Sequence, residues 1–251
     1  MNKNINILAI DLGNTDLTMR LYLKAEAQEI VREPIKNLTN ESLIFLLTKL
    51  INKVDVDVAG ISCVVPRLKD LLLKVVGNFA AKVIIVDASL LSDIVINADQ
   101  RNELGADFLS VYYGCINKYK LPILVYDLGS ASKSMLINKA GAIEGVTIKA
   151  GIDNSYHNMV KDIPHLPYVE MHMNDDPLGH NTITAIQTGI LHGELGWIIN
   201  STKKIESYYK IECTKVITGG CSRYLVADLN DYNYDPDIIL TGIYYIVLRS
   251  I

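Results

Sequence analysis

The chain has 251 residues, of which 49% are hydrophobic, and a formal net charge of −4 at pH 7. This length and apolar content are sufficient to bury the core of one large domain or of two small ones. The acidic balance and the lack of a basic run argue against a nucleic-acid partner and against binding to an anionic membrane surface.

The first half of the chain predicts alternating strands and helices. Residues 5–13 form a compact apolar run typical of a buried strand, and residues 17–24 predict its hairpin partner, closed over residues 13–16. An amphipathic helix follows, with Thr39 or Asn40 as its N-cap. The remaining predictions are a strand over 56–66, a helix over 67–79 that ends near Gly77, and a strand over 82–88.

The second half of the chain repeats this alternation. Residues 121–129 and 132–148 predict three consecutive strands, and a long helix follows over 180–210, capped by Asn181 or Thr182. Residues 213–220 predict a strand that ends in a glycine pair. The closing helix begins at Asp235 or Asp237, and its apolar stretch is too short to cross a bilayer. The sequence from Met1 shows no signal peptide, and we therefore expect a soluble, cytoplasmic protein.

Two similar phrases mark an internal duplication. The strand that contains Asp11 ends in "DLGNT", and the strand that contains Asp127 ends in "DLGSAS". Because both phrases lie in matching strand–turn–strand contexts, we expect one α/β unit to occur twice. The predicted domains are residues 1–116 and 117–251, packed closely with a cleft between them.

The repeated phrase has the chemistry of a phosphate clamp. Gly13 would let the backbone turn sharply and approach a ligand closely, while Asn14, Thr15 and the exposed amides would donate to phosphate oxygens. Asp11 beside these donors could hold Mg²⁺ through waters. In the second copy Ser130 and Ser132 supply the hydroxyl groups. The alternative is an ordinary strand-end turn, which explains one copy well and two aligned copies poorly.

Other features of the chain have two interpretations each. The pair Gly219 and Gly220 could pack flat against an adenine ring or form a plain turn. Asp107 could act on a ligand or cap the helix that follows it. No Walker phosphate loop occurs in the sequence. The four cysteines lack Cys-x-x-Cys spacing, which predicts reduced, mostly buried thiols.

The ordered set "IDLGNT", "ELGAD", "DLGSAS", "GHNT", "TGG" and "DPD" resembles the type III pantothenate kinases, and the resemblance covers nearly the full chain. This family belongs to the superfamily of acetate and sugar kinases, heat-shock chaperones and actin. The resemblance implies an α/β fold of two duplicated actin-like (ribonuclease H-like) domains with a nucleotide cleft between them. It also implies a homodimer that phosphorylates pantothenate with ATP, Mg²⁺ and a monovalent cation (K⁺ or NH₄⁺).

The resemblance assigns roles to individual residues. It implies that Asp107 accepts the proton of the substrate hydroxyl and that Asp127 binds the monovalent cation. It places the ATP phosphates on the stretch from Asp11 to Thr18. Ser130 stands where the family has an ATP-contacting threonine, and Gly105, Ala106 and Thr182 fall in stretches that contact pantothenate; the adenine role of Gly219 and Gly220 rests on the glycine pair itself.

Three departures from the family pattern concern the site. Phe108 stands where the family has an arginine, and Phe cannot replace its charge or its donors. Ala98 stands where the family commonly has a substrate-contacting tyrosine. Ser130 and Ser132 replace two threonines and keep both hydroxyls. The alternative to an active kinase is therefore a non-catalytic or altered-substrate relative that keeps ATP binding and acts as an accessory protein. A filament or chaperone relative of actin is disfavoured by the short chain.

Overall fold

A computed structural model of the chain describes residues 5–87, 90, 94–96 and 104–251. It divides into two compact units, the first built from residues 1–95, 99–118 and 237–251 and the second from residues 96–98 and 119–236. The last segment of the chain thus belongs to the first unit, whereas the sequence-based division at residues 116 and 117 places it in the second.

Both units are α/β, as the sequence predicts. The elements in chain order are β1 (Asn6–Leu12), β2 (Asp16–Leu23), β3 (Glu26–Pro34), α1 (Asn40–Ile51), β4 (Val56–Cys63), α2 (Pro66–Val76), β5 (Ala80–Ile85), α3 (Ala106–Lys118), β6 (Ile123–Leu128), β7 (Ala131–Ile137), β8 (Ile143–Ala150), α4 (Ile152–Asp162), α5 (Thr182–Tyr209), β9 (Thr214–Thr218), β10 (Asn233–Tyr234) and α6 (Ile238–Arg249). Short 3-10 helices lie at Ile35–Asn37, Gly220–Tyr224 and Val226–Asp228.

The two sheets have the same strand order, which agrees with the predicted duplication. The first sheet runs β3-β2-β1-β4-β5, and the second, read in the corresponding direction, runs β8-β7-β6-β9-β10. In each sheet three sequential strands pair antiparallel, and two later strands continue the sheet in parallel. The strands that end in Asp-Leu-Gly, β1 and β6, therefore occupy equivalent central places.

The caps of two predicted helices are confirmed. Thr39 caps α1, because its side chain accepts a hydrogen bond from the Ser42 amide while the Ser42 hydroxyl accepts one from the Thr39 amide. Asn181 caps α5 in the same reciprocal way with Thr184. Of the alternatives that the sequence left open, Thr39 and Asn181 are the capping residues.

Besides the two-residue strand β10, the elements β3 and α4 were not predicted from the sequence. The turn between β2 and β3 uses Lys24 and Ala25, both with left-handed φ angles of 49° and 76°, in place of the usual Asn-Gly pair. The strand β3 is partly exposed on both faces and has no alternating pattern. The helix α4 begins after Gly151, and no side chain caps it. Neither element carries the sequence signal by which its class is recognised.

The chain's last helix, α6, packs closely against α3 and β4 in the first unit. A methyl group on Gly242 would lie 1.7 Å from the Ser110 oxygen, and one on Gly114 would lie 2.3 Å from the Ile238 oxygen. One on Gly60 of β4 would also collide with side chains of α6. Because glycines stand at each contact, the backbones can approach closely, which explains why the C-terminal segment belongs to the first unit.

Polar and aromatic contacts add to this packing. The Arg20 guanidinium donates to the Asp237 carboxylate over 2.8 Å, and the rings of Tyr22 and Tyr244 stack with centroids 4.4 Å apart. Asp237 is therefore the residue at the start of α6, although its side chain binds Arg20 and does not cap the helix.

No helix within the described residues is long and apolar enough to cross a membrane. All four cysteines are free, and Cys115, Cys213 and Cys221 are buried while Cys63 is half-buried. Burial raises the pKa of Cys213 to about 11 and that of Cys221 to about 12. The prediction that the thiols are mostly buried is confirmed.

Candidate functional site

The first copy of the repeated phrase places a carboxylate at the end of β1. Asp11 lies in register with Thr18 on β2 and with Ser62 on β4. Because directly paired residues point to the same face of a sheet, these three side chains form one line across the strands, here called the first row. The Ser62 hydroxyl, fully buried, donates to Asp11 Oδ1 over 2.9 Å. Ser62 is a site residue that the sequence analysis missed.

The turn that follows Asp11 is held by backbone bonds. The Gly13 amide donates to the Asp16 carbonyl over 3.0 Å, and the Ile35 amide donates to the Thr15 carbonyl over 2.9 Å. Asn14 and Thr15 are exposed at its tip, as a ligand-binding loop requires. Gly13 is not among the described residues with left-handed φ, so its backbone angles are open to other residues, and the expected close approach of a ligand stays a prediction. A methyl group there would lie 3.4 Å from the Asp16 oxygen.

The second copy places Asp127 at the end of β6, between Lys133 on β7 and Thr218 on β9. These three residues form the second row, equivalent to the first. The Lys133 ammonium lies 2.9 Å from Asp127 Oδ2, and the two side chains are 13% and 12% exposed. The two rows differ in these contacts, since the Ser62 hydroxyl contacts Asp11 and the Lys133 ammonium contacts Asp127. The sequence motifs gave no signal for this pairing, since Lys133 lies beyond "DLGSAS".

The second loop is braced by α4. The Ser130 carbonyl accepts hydrogen bonds from the Gly151 amide over 3.1 Å and from the Asn154 side chain over 2.7 Å. A methyl group on Gly151 would lie 2.1 Å from the Gly129 oxygen. The Ser132 hydroxyl is buried and has no hydrogen-bond partner within the part of the chain that the structure describes. It lies on the opposite face of β7 from Lys133, since adjacent strand residues alternate.

The glycine pair after β9 also has a structural cause. Gly219 has a left-handed φ of 89°, and a methyl group on it would lie 2.5 Å from the Leu128 backbone. Glycine is therefore required here whether or not an adenine ring binds. Gly220 begins a 3-10 helix in which Arg223 donates to the Gly220 carbonyl and lies over the Tyr224 ring.

The predicted proton acceptor, Asp107, lies in the first turn of α3. Its Oδ1 accepts a hydrogen bond of 2.8 Å from the Phe108 amide. A methyl group on Gly105 would lie 2.7 Å from that oxygen, so the absence of a side chain at Gly105 gives the carboxylate its place. Ala106 is the first residue of the helix. The Phe108 ring is only 8% exposed and belongs to the buried residues of the chain.

Of the other residues expected to contact pantothenate, Thr182 is exposed and is the first residue of α5, directly after the cap Asn181. Ala98 lies outside the described residues. Near this helix start, the exposed His180 ring contacts the Asp176 carboxylate over 2.8 Å, and this contact lowers the pKa of Asp176.

The carboxylates differ in how well they suit a bound cation. Among the described residues, no group of three or more His, Cys, Asp or Glu side chains is placed to hold a metal ion. Mg²⁺ does not need such a group, because it is commonly bound by one or two carboxylates, waters and substrate phosphates. Asp11 fits that mode, since it is a single carboxylate at the end of β1, next to the exposed loop residues Asn14 and Thr15. Asp127 does not fit an added monovalent ion, because it already pairs with the Lys133 ammonium.

Comparisons with known proteins agree on one family. A sequence profile for type III pantothenate kinase matches residues 7–204. A protein from Agathobacter rectalis named type III pantothenate kinase is 31% identical over 251 residues, covering 94% of this chain and 95% of that protein. Another so named, from Geobacillus kaustophilus, is 28% identical over 245 residues, with 94% of this chain and 95% of that protein covered.

Solved structures agree on the fold. A Campylobacter jejuni protein described as a Baf family transcriptional activator superposes with a TM-score of 0.64 at 18% identity, covering 97% of this chain and 98% of that one. MreB5 of Spiroplasma citri bound to ADP, an actin-like protein, gives 0.51 at 10% identity, covering 98% and 96%. The predicted actin-like α/β fold is confirmed.

Proposed function

Because the chain belongs to the type III pantothenate kinase family, we propose that it transfers the γ-phosphoryl group of ATP to pantothenate. The product is 4′-phosphopantothenate, and the reaction is the first step of coenzyme A biosynthesis. The match over nearly the whole chain carries the proposal. The homodimer implied by the resemblance is part of the same proposal and rests on family membership.

The first loop is the proposed binding place of the ATP phosphates. Its exposed tip at Asn14 and Thr15 offers backbone amides and short polar side chains to phosphate oxygens. Asp11 would hold Mg²⁺, which when bound neutralises phosphate charge as it develops in the transition state. The Ser62 hydroxyl orients the Asp11 carboxylate through its hydrogen bond to Oδ1. The residues of the first row thus hold and orient ATP, the phosphoryl donor.

The second loop is the proposed second contact with ATP. Ser130 is half-buried, and its carbonyl is held by α4 through Gly151 and Asn154. Gly219 continues from β9 next to the Leu128 backbone and brings the following 3-10 helix close to this loop. A loop braced in this way loses little freedom when a ligand binds, which favours affinity.

Asp107 is the proposed general base. Its carboxylate would accept the proton of the pantothenate hydroxyl as that oxygen attacks the γ-phosphorus and ADP leaves. The Phe108 amide fixes Oδ1, so the carboxylate has a defined direction at the start of α3. Most of the rate enhancement in such reactions comes from positioning and charge neutralisation, and proton transfer adds a smaller part.

One observation favours a second candidate, a relative with an altered acceptor. Phe108 replaces the arginine of the family pattern, and its ring is buried, so this position gives an anionic substrate neither a charge nor a donor. Under this alternative the protein binds ATP as proposed above. It then phosphorylates an alcohol other than pantothenate, or it phosphorylates no acceptor.

The test is a turnover assay of the purified protein with ATP, Mg²⁺ and pantothenate, with 4′-phosphopantothenate detected by mass spectrometry. We expect product from the wild-type protein and a loss of about 100-fold or more in Asp107→Asn, in line with the usual contribution of a general base. ATP binding, measured by calorimetry, should be nearly unchanged in that variant because Asp107 is not proposed to contact ATP.

A wild-type protein that binds ATP and forms no product at high pantothenate concentration would refute the pantothenate assignment and favour the altered acceptor. If Asp107→Asn retains full turnover, Asp107 is not the base.

A further inference from the structure

The equivalent rows of the two sheets differ in the charge of the residue at one position. In the first row, β2 contributes the hydroxyl residue Thr18 beside Asp11, and in the second row β7 contributes Lys133 beside Asp127. On the other side of the carboxylate each row has a buried hydroxyl residue, Ser62 or Thr218. The duplication thus offers two similar carboxylate sites, and at the second an ammonium group of the chain itself contacts the carboxylate.

The contact between Lys133 and Asp127 is largely shielded from water. Their charged atoms are 2.9 Å apart, and about seven-eighths of each side chain is covered, since 13% and 12% remain exposed. A pair with this little exposure is screened much less by salt than a surface pair. A second cation at the same carboxylate would be repelled by the ammonium at short range.

A lysine ammonium is chemically close to the ion it would replace. It is a compact, fully charged group with three N–H donors, like an ammonium ion attached to a flexible chain. We propose that Lys133 takes the place of the free monovalent cation at Asp127, so that the enzyme is independent of K⁺ and NH₄⁺. This inference rests on the proposed kinase function, because it concerns charge compensation beside the second ATP loop.

Thr218 indicates what should happen when the ammonium is removed. Its side-chain oxygen is buried and has no hydrogen-bond partner among the residues that the structure describes. It lies in register with Asp127, on the neighbouring parallel strand. Without Lys133, the Asp127 carboxylate and the Thr218 oxygen would form a partly buried pair of oxygen ligands with an uncompensated negative charge. Such a site suits a monovalent cation.

The experiment measures the initial rate with ATP, Mg²⁺ and pantothenate in choline chloride, KCl or NH₄Cl at one ionic strength, with all other cations kept constant. For the wild-type protein we expect the three rates to agree within about twofold. For Lys133→Met we expect an initial rate in choline chloride that is lower than the wild-type rate by about tenfold or more. KCl or NH₄Cl should largely restore that rate. A wild-type rate that KCl raises about tenfold would overturn the inference while leaving the kinase function intact.

A matched control separates cation replacement from simple loss of an ion pair. Lys149 on β8 of the same sheet pairs with the buried carboxylate of Glu194. Lys149→Met should be less stable than the wild-type protein. KCl and NH₄Cl should not specifically restore its rate or its thermal unfolding midpoint. Rescue of both variants to the same extent would indicate a general salt effect and would overturn the inference.

A second readout does not depend on turnover. The thermal unfolding midpoint of Lys133→Met should rise in KCl relative to choline chloride, because an ion that binds only the folded state stabilises it. The wild-type midpoint should not respond. If neither the wild-type protein nor the variant phosphorylates pantothenate, the proposed function fails, and the unfolding midpoints still decide the role of Lys133. If KCl does not raise the unfolding midpoint of the variant, Lys133 has a purely structural role and the inference fails.

Should Lys133→Met not fold, Lys133→Gln serves as the second variant, because it keeps hydrogen-bond donors and lacks the charge. If neither variant folds, the wild-type rates decide: equal rates in KCl and choline chloride support the inference, and stimulation by KCl overturns it.

Discussion

At the scale of single residues, two glycines beside the candidate site are glycine for different reasons. Gly219 has a left-handed φ and touches the Leu128 backbone, so a side chain there disturbs the fold. Gly13 has neither constraint, and a methyl group would lie 3.4 Å from the Asp16 oxygen. We infer that Gly13 matters for the space it leaves to a ligand above the first loop.

These two positions give a paired prediction. Gly219→Ala should lower the free energy of unfolding by about 3 kcal/mol, because backbone strain and a collision combine. Gly13→Ala should change it by less than about 1 kcal/mol yet weaken ATP binding about tenfold or more. Urea denaturation and calorimetry with ATP measure the two quantities. If Gly13→Ala unfolds the protein but binds ATP normally when folded, the turn itself needs glycine and our interpretation fails.

Residue patterns also show where prediction from the sequence was limited. Asp11 and Asp127 were recognisable because the same phrase occurs twice after an apolar strand. Ser62 and Lys133, which contact them, lie on neighbouring strands, and no local pattern announces a partner that only sheet register brings near. The part of the site made by local sequence was predictable, and the part made by strand pairing was not.

At the scale of elements, helix glycines separate close packing from open surface. Gly242 in α6 contacts the Ser110 backbone of α3, and its hydrogen atom occupies space that no side chain could enter. Gly189 in α5 is exposed, and no atom lies within 4 Å of a methyl group built on it. The same substitution therefore has opposite consequences in these two helices.

We expect Gly242→Ala to lower the free energy of unfolding by about 3 kcal/mol or more, because the two helix backbones must separate. Gly189→Ala, the matched control, should raise it by about 0.5–1 kcal/mol through better helix propensity alone. Chemical denaturation of both variants measures the difference. Equal effects of the two substitutions would show that α6 is not held against α3 as the structure has it.

Element recognition from the sequence succeeded where patterns were complete. The amphipathic α1 and the long α5 had both periodicity and capping residues, and their caps form reciprocal hydrogen bonds. The strand β3 and the helix α4 lacked these signals. Helix α6 was predicted as a helix, but its membership of the first unit depends on Gly60, Gly114 and Gly242, whose contacts lie far away in sequence.

At the scale of the whole molecule, buried acidic groups connect stability to alkaline pH. In the second unit, burial raises the pKa of Tyr126 from 10.0 to about 12, although hydrogen bonds with Ser201 and Thr202 oppose the rise. Burial, assisted by the nearby Asp153 charge, raises the pKa of Cys221 from 9.0 to about 12. The folded protein therefore keeps these protons at a pH where the unfolded chain has begun to lose them.

The sign of the effect follows from proton counting. Above about pH 9 the unfolded state binds fewer protons than the folded state, so the free energy of unfolding falls as pH rises from about 9 towards about 12. For Tyr126 the full difference corresponds to roughly 2–3 kcal/mol between its two protonation states. Urea denaturation at a series of pH values from neutral to about 10.5 should show a steady loss of stability that begins near pH 9.

The variant Tyr126→Phe isolates one of these groups. It should be less stable than the wild-type protein at neutral pH, because the hydroxyl bonds to Ser201 and Thr202, 2.8 and 2.9 Å long, are lost. Its stability should then fall less steeply above pH 10, because one buried proton no longer favours the folded state. The two curves should converge as pH rises. Parallel curves over this range would mean that Tyr126 titrates alike in the folded and unfolded states.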